Sequence, residues 1–406
     1  MKIAILTQPL GENYGGLLQA YALQRVLGNM GHQVWTEDNL AEVEKSTEQK
    51  NPSHVEEEAD ITRSYPAKRS IFSRIQKVLS YLCIKKGFYF LVKKVIFRLM
   101  GLSKFRLFTN QFIKTHIKTI ATQNRANEIF MQYGIEAYIV GSDQVWRPIN
   151  TVFSYKYFLD FTHQTQVKRV AYAASFGTDE WEFTAEQTTT CASLLKKFDA
   201  VSVREKSAVQ LCKDLFGVDA LQTLDPTFLL TKEDYLSLIK KKSTRKYKKN
   251  IITYILDVNI EKCSIMQGVS DELQCKGTMI TPHPYMQKKE MRTYENDYYL
   301  SVEQWLSHFN QASFVITDSF HGCVFAILFN KPFVVIDNKE RGSTRFHSLL
   351  DLFNLRSRLV NSVDDFNQKK KELLFTPIDF DGVNSILQIK RRESIEFLKS
   401  ALAPID

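Results

Sequence analysis

No two of the six cysteines, Cys83, Cys191, Cys212, Cys263, Cys275 and Cys323, stand at CxxC spacing, and no histidine cluster accompanies them. That excludes a zinc site built on thiolates and fits the reduced thiols of a cytosol. No apolar run reaches the roughly 18 residues that a membrane span needs. The opening "MKIAILTQPLG" has too short an apolar run for a signal peptide and no small-residue cleavage site, so a cytoplasmic chain is expected. There is no GxGxxG dinucleotide fingerprint, no RNP1 or KH module and no repeat of 20–50 residues. Neither a dinucleotide nor a nucleic acid is an expected partner. Acidic residues are unevenly spread: residues 61–118 contain none, against fourteen Lys or Arg, while residues 37–60 hold nine Asp or Glu against two Lys.

What remains is ordinary in bulk. The chain has 406 residues, which predicts two domains. It is 44% hydrophobic and 24% charged, as a globular protein is. The formal net charge of +9 points to an anionic partner.

The pattern is α/β. "KIAILT" reads as a buried parallel strand, "GENYGG" as a loop, Leu17 to Met30 as a helix ended by Gly31, and "HQVW" as the next strand. The theme resumes with "AYIVGSDQVW", "RVAYAASFG", "KFDAVSVREKSAVQLCKDLFG" and "ALQTLDPTFLL". It then repeats in "IITYIL", "GTMITP", "SFVIT" and "PFVVI", with helices at "VEQWLSHFNQA" and "HGCVFAILFN". The expected architecture is two Rossmann-like domains facing a cleft. Residues 1–230 form the first, with a basic amphipathic helical insertion at about 61–118 lying outside its sheet. Residues 231–380 form the second, and 381–406 a closing helix. Ligands of such sheets sit beyond the carboxyl ends of the strands.

The candidate site residues all lie at such ends. His321 follows "FVIT" at the start of a helix, with Asp318 or Ser319 as N-cap. A helix N-terminus suits a phosphate, and Gly322 would let a ligand approach the backbone. Arg204 in "SVRE" offers a fork for a carboxylate or phosphate, and Arg345 and Arg341 follow the last strand. Asn13 and Tyr14 are expected to project into the cleft, beside Gly15. Ser142 and Asp143 in "GSDQVW" are placed to hold a hydroxyl. Nucleotide-sugar glycosyltransferases of the two-Rossmann type have a similar strand–turn–helix–strand, whose helix carries a carboxylate for the ribose. Between Asp318 and Asp337 this chain has none. That favours a phosphorylated ligand without a nucleoside.

Taken together, "NYGGLLQAYALQ", "GSDQVW", "AYAASFG", "SVREKSAVQL", "LDPTFLL", "ITDSFHGCVFAILFNKPFVVI" and "RF" at 345–346 resemble the polysaccharide pyruvyl transferase family, in the family's order. The resemblance implies a glycosyltransferase GT-B-like fold and no cofactor, with phosphoenolpyruvate as co-substrate. It also implies a sugar acceptor in a bacterial surface or capsular polysaccharide precursor, and a pyruvate ketal bridging two hydroxyls as product. The family's histidine falls on His321 and its upstream arginine on Arg204. Ser319 stands where some members have an arginine, and Arg345 is the substitute. His321 is general acid or phosphate partner. No metal is implied. Acceptors of such enzymes are commonly carried on a lipid diphosphate. The basic segment 61–118 is therefore either a solvated helical hairpin or a contact with an anionic inner leaflet. Two other readings share the architecture: a nucleotide-sugar glycosyltransferase, and a non-catalytic carbohydrate-binding protein of an assembly complex.

Overall fold

The computed structural model describes residues 1–11, 13–38, 103–113, 116–118, 123–149, 155–162, 167–239, 250–281, 294–296 and 300–403. Most of the basic stretch, residues 61–102, lies outside them.

Two parallel sheets are present. The first contains β1 (Lys2–Leu6), β2 (Gln33–Asp38), β3 (His116–Lys118), β4 (Ala137–Val140), β5 (Lys168–Ala174), β6 (Ala200–Val203) and β7 (Leu221–Gln222), in the order β3-β2-β1-β4-β5-β6-β7. The second contains β8 (Ile251–Tyr254), β9 (Gly277–Met279), β10 (Tyr294–Asn296), β11 (Phe314–Thr317), β12 (Phe333–Ile336) and β13 (Leu359–Val360), in the order β10-β9-β8-β11-β12-β13. Both follow the Rossmann order, which reverses direction once, at β1/β4 and at β8/β11. Ligands bind at such switch points. The central strands read as unbroken apolar runs because helices cover both faces: "FVIT" and "FVVI" are buried throughout. At the switch points Leu6 pairs with Val140 and Thr317 with Tyr254, so each pair of strands ends level.

The expected strands and helices form, with local differences. The first helix, α1 (Tyr14–Asn29), begins three residues earlier than periodicity predicts, because Asn13 Oδ1 accepts from Gly16 N at 3.1 Å and caps it. The end of the basic stretch is not outside the sheet as expected. Residues 116–118 are edge strand β3, residues 103–112 are helical, and Phe105, Phe108 and Ile113 are buried. The short edge strands β3, β10 and β13 are not legible in the sequence, since two or three residues carry no periodic signal.

The two sheets share one continuous hydrophobic cluster. Its centre brings Tyr14 of the first domain onto Trp305 of α2 (Val302–Gln311) in the second. The rings stack at 5.2 Å and 11°, and Tyr14 Oη donates to the Leu300 carbonyl. The long helix α5 (Phe380–Ala401) follows the second sheet and returns to the first domain. There Ser394 Oγ accepts from Leu224 N, and Arg391 donates to the carbonyls of Phe228 and Leu230. The five described cysteines form no disulfide with one another. Among the described residues no helix is long and apolar enough to cross a membrane.

Candidate active site

The two switch points face each other across a cavity of about 490 Å³. Gln8, Pro9 and Asn13 after β1 and Asp143 and Gln144 after β4 form one wall. Leu256 and Asp257 after β8, and Asp318 to His321 after β11, form the other, and Glu340, Arg341 and Arg345 close it.

His321 stands in the first turn of α3 (Phe320–Leu328), a helix buried along its whole length. Ser319 is the cap: its Oγ accepts from Gly322 N at 3.5 Å. Asp318 does a different job. Its two buried oxygens accept from Leu256 N (2.6 Å), Asp257 N (3.1 Å), Lys262 Nζ (2.7 Å) and Asn338 Nδ2 (3.1 Å), tying the loops after β8, β11 and β12 into one unit.

Behind His321 lies a buried ionic network from the first domain. Asp225 Oδ2 accepts from Arg204 Nη1 at 2.9 Å and lies 3.1 Å from the Ser142 hydroxyl. Asp225 Oδ1 accepts from Thr227 N and Oγ1 at 3.0 and 2.6 Å. His321 Nε2 sits 3.6 Å from Asp225 Oδ2, an electrostatic contact longer than a hydrogen bond, and has no hydrogen-bond partner among the described residues. Burial would raise the Asp225 carboxyl, but His321, Arg204 and Thr227 outweigh it and hold the group far below the usual carboxylate range. Arg204 also donates to Glu205 (3.0 Å) and Ser175 (3.2 Å), lies 3.6 Å from Asp143 Oδ1, and stacks 4.0 Å from the Phe320 ring. Burial disfavours its charge, yet Glu205, Asp225 and Asp143 raise it above the ordinary arginine value.

Arg345, on α4 (Thr344–Leu352), is the contrasting cation. It donates to the Arg341 carbonyl, but its Nε has no partner although the residue is only 6% exposed. Burial and the nearby Arg204 push it down to about 10 against the pull of Asp143 and Glu205, so it stays charged at neutral pH, and no carboxylate among the described residues forms an ion pair with it. Arg341 is half-exposed and chelated by Asp257.

The expected residues therefore divide. His321, Ser319, Arg345, Arg341, Asn13 and Asp143 do line the cavity. Tyr14 does not project into it, because stacking on Trp305 buries the whole side chain. Gly15 does not reach it either: a Cβ there would lie 2.1 Å from His321 Nδ1, so Gly15 is the floor on which the imidazole rests. Ser142 is fully buried on the Ala173 carbonyl and Asp225, and its N–H donates to Gln19 Oε1. Gly322 meets protein and not ligand, since a Cβ would lie 2.1 Å from Thr317 Oγ1. Arg204 sits one layer behind the cavity, its fork spent on carboxylates. Asp225 went unassigned from sequence, although "LDPTFLL" marks it by an Asp before Pro at a strand's end.

Solved structures with the same fold include S. aureus MnaA with UDP (12% identity, TM-score 0.53, covering 100% of this chain and 97% of that one). Another is UDP-GlcNAc 2-epimerase from Neisseria meningitidis bound to UDP-GlcNAc (9%, 0.52, 98% and 100%). At these identities the likeness shows the GT-B-like fold alone. No curated protein sequence matches the chain. The sequence profile of one family matches residues 13–340, from the cap of α1 through the switch point of the second sheet and across the whole ionic network, and by that match the chain belongs to the polysaccharide pyruvyl transferase family.

Proposed function

We propose that the protein transfers pyruvate from phosphoenolpyruvate to two hydroxyls of a sugar in a bacterial surface polysaccharide precursor, forming a ketal. One observation carries this reading. His321 and Arg345 both line the cavity beside the first turn of α3, and each keeps a buried nitrogen, Nε2 and Nε, without a hydrogen-bond partner among the described residues. Such an arrangement suits a compact, multiply charged anion: the helix end and the guanidinium meet its phosphate or carboxylate. It offers no carboxylate on α3 for a ribose.

In this reading the imidazolium of His321 gives its proton to the donor's methylene carbon, and positive charge develops at the neighbouring carbon, where a sugar hydroxyl attacks. Asp225, held ionised, stabilises the imidazolium before transfer. Arg345 balances the phosphate as it leaves. The donor carries its own leaving group, so the scheme calls for no further cofactor. The fourteen basic residues of 61–118 suit an anionic leaflet carrying a lipid-linked acceptor, which sedimentation with anionic and neutral vesicles tests.

The deciding experiment is phosphate release from phosphoenolpyruvate in the presence and absence of candidate sugar acceptors, with the ketal methyl identified by NMR. Release that depends on both substrates supports the reading. Turnover of nucleotide sugars, with no phosphate from phosphoenolpyruvate, would replace it with glycosyl transfer.

A further inference from the structure

We propose that Asp143 is the base that takes the proton from the acceptor hydroxyl; this rests on the pyruvyl-transfer reading above. Asp143 follows β4 at the switch point of the first domain, and His321 follows β11 at that of the second. Both line the same cavity. The backbone of Asp143 is pinned: its carbonyl accepts from Val145 N at 2.8 Å and Ser175 N at 3.1 Å, and the residue bridges to Ala174. It is held at φ 71°, in the left-handed region that few residues other than glycine adopt. Non-glycine residues kept there by their surroundings concentrate at functional sites, so the outlier itself asks for an explanation.

The carboxylate is placed unevenly. Oδ1 accepts from Gln144 N at 3.0 Å and lies 3.6 Å from Arg204 Nη2. No hydrogen bond holds Oδ2 among the described residues, and the residue is 7% exposed. Of the three carboxylates around Arg204, this is the most loosely held and the one that lines the cavity with His321. The Arg204 guanidinium thus stands between two carboxylates with opposite tasks. Asp225 faces the proton donor His321, and Asp143 faces the space where an acceptor would lie. Acid and base work is divided in this way when two titratable groups sit in unlike environments.

The proton balance closes. Asp143 takes the proton of the first hydroxyl as its oxygen bonds to the donor's central carbon. The C=C electron pair takes a proton from His321 and becomes a methyl group. Phosphate leaves with the C–O bonding pair. The second hydroxyl then closes the ketal and returns a proton to the imidazole, and the proton on Asp143 departs with the phosphate.

Asn and Gly both tolerate the left-handed backbone, so Asp143→Asn and Asp143→Gly keep the turn. Phosphoenolpyruvate affinity by calorimetry should stay within about threefold of wild type, while kcat falls about 10²- to 10³-fold in both. Added formate should restore about tenfold or more of the Asp143→Gly loss by supplying the missing carboxylate. Asp143→Asn turning over within about threefold of wild type would reduce the residue to a hydrogen-bonding role and overturn the proposal. So would recovery by raised acceptor concentration alone, or no rescue by formate. Absence of phosphate release by the unmodified protein would instead sink the pyruvyl-transfer reading.

Discussion

A methyl group's width separates a working His321 from a displaced one. Gly15 belongs to the first domain and His321 to the second, and the imidazole lies where a Gly15 side chain would be. Gly15→Ala should cut kcat by about tenfold or more, with the fold kept, because proton transfer depends on hydrogen-bond reach; steady-state kinetics and circular dichroism check both halves. His321→Ala should cost about 10²-fold or more by the same reasoning. Asp225 allows a prediction of stability. Its folded carboxyl titrates below its unfolded value, so its stabilisation is present above about pH 4 and is lost as pH falls below that. Asp225→Asn should lower stability at pH 7 by about 3–5 kcal/mol, since it strips a buried guanidinium of a partner. It should also flatten the acid side of the stability curve, as denaturant titrations between pH 2 and pH 7 would show. Arg345 should behave oppositely. Arg345→Met removes an incompletely paired buried cation, so the unliganded protein should be as stable as wild type or more so, and the rise in Tm expected when phosphate is added to the wild type should be lost in the variant.

Among the elements, α3 shows why much of the site was legible and part was not. A strand, a serine cap, a histidine and an apolar helix are local signals, and they mark the strand end where His321 and Ser319 line the cavity. What an exposed-looking residue touches across the domain interface is not local. "NYGG" reads as a polar loop that should meet solvent or ligand, yet Tyr14 meets Trp305, nearly three hundred positions on. Gly322 reads as room for a ligand, because the glycine signal is the same whether the close neighbour is a phosphate or Thr317. The role of Asp225 is not legible locally, because its partners Arg204 and His321 come from other strand ends. Gly322→Ala follows from the packing. The new Cβ would drive α3 off β11 at Thr317, costing about 1–3 kcal/mol as overpacking does, measurable by denaturant unfolding.

For the whole molecule, the shared core opposes the independent domain motion expected when an interface is small and polar. Tyr14, Trp305, Tyr254 and Phe325 are buried where the domains meet, and Trp305 lies within 5.3 Å, centroid to centroid, of each of the other three. Trp305→Ala should cost about 3–5 kcal/mol, and calorimetry should show one transition for both sheets that moves down intact instead of splitting in two. The return of α5 to the first domain has a temporal meaning as well. Leu224, Phe228 and Leu230, which flank Asp225, gain these partners only from residues 391–394. A nascent chain emerging from the ribosome can therefore shape its first sheet early, but the segment that holds Asp225 acquires the last part of its support only after every strand of the second sheet has been made.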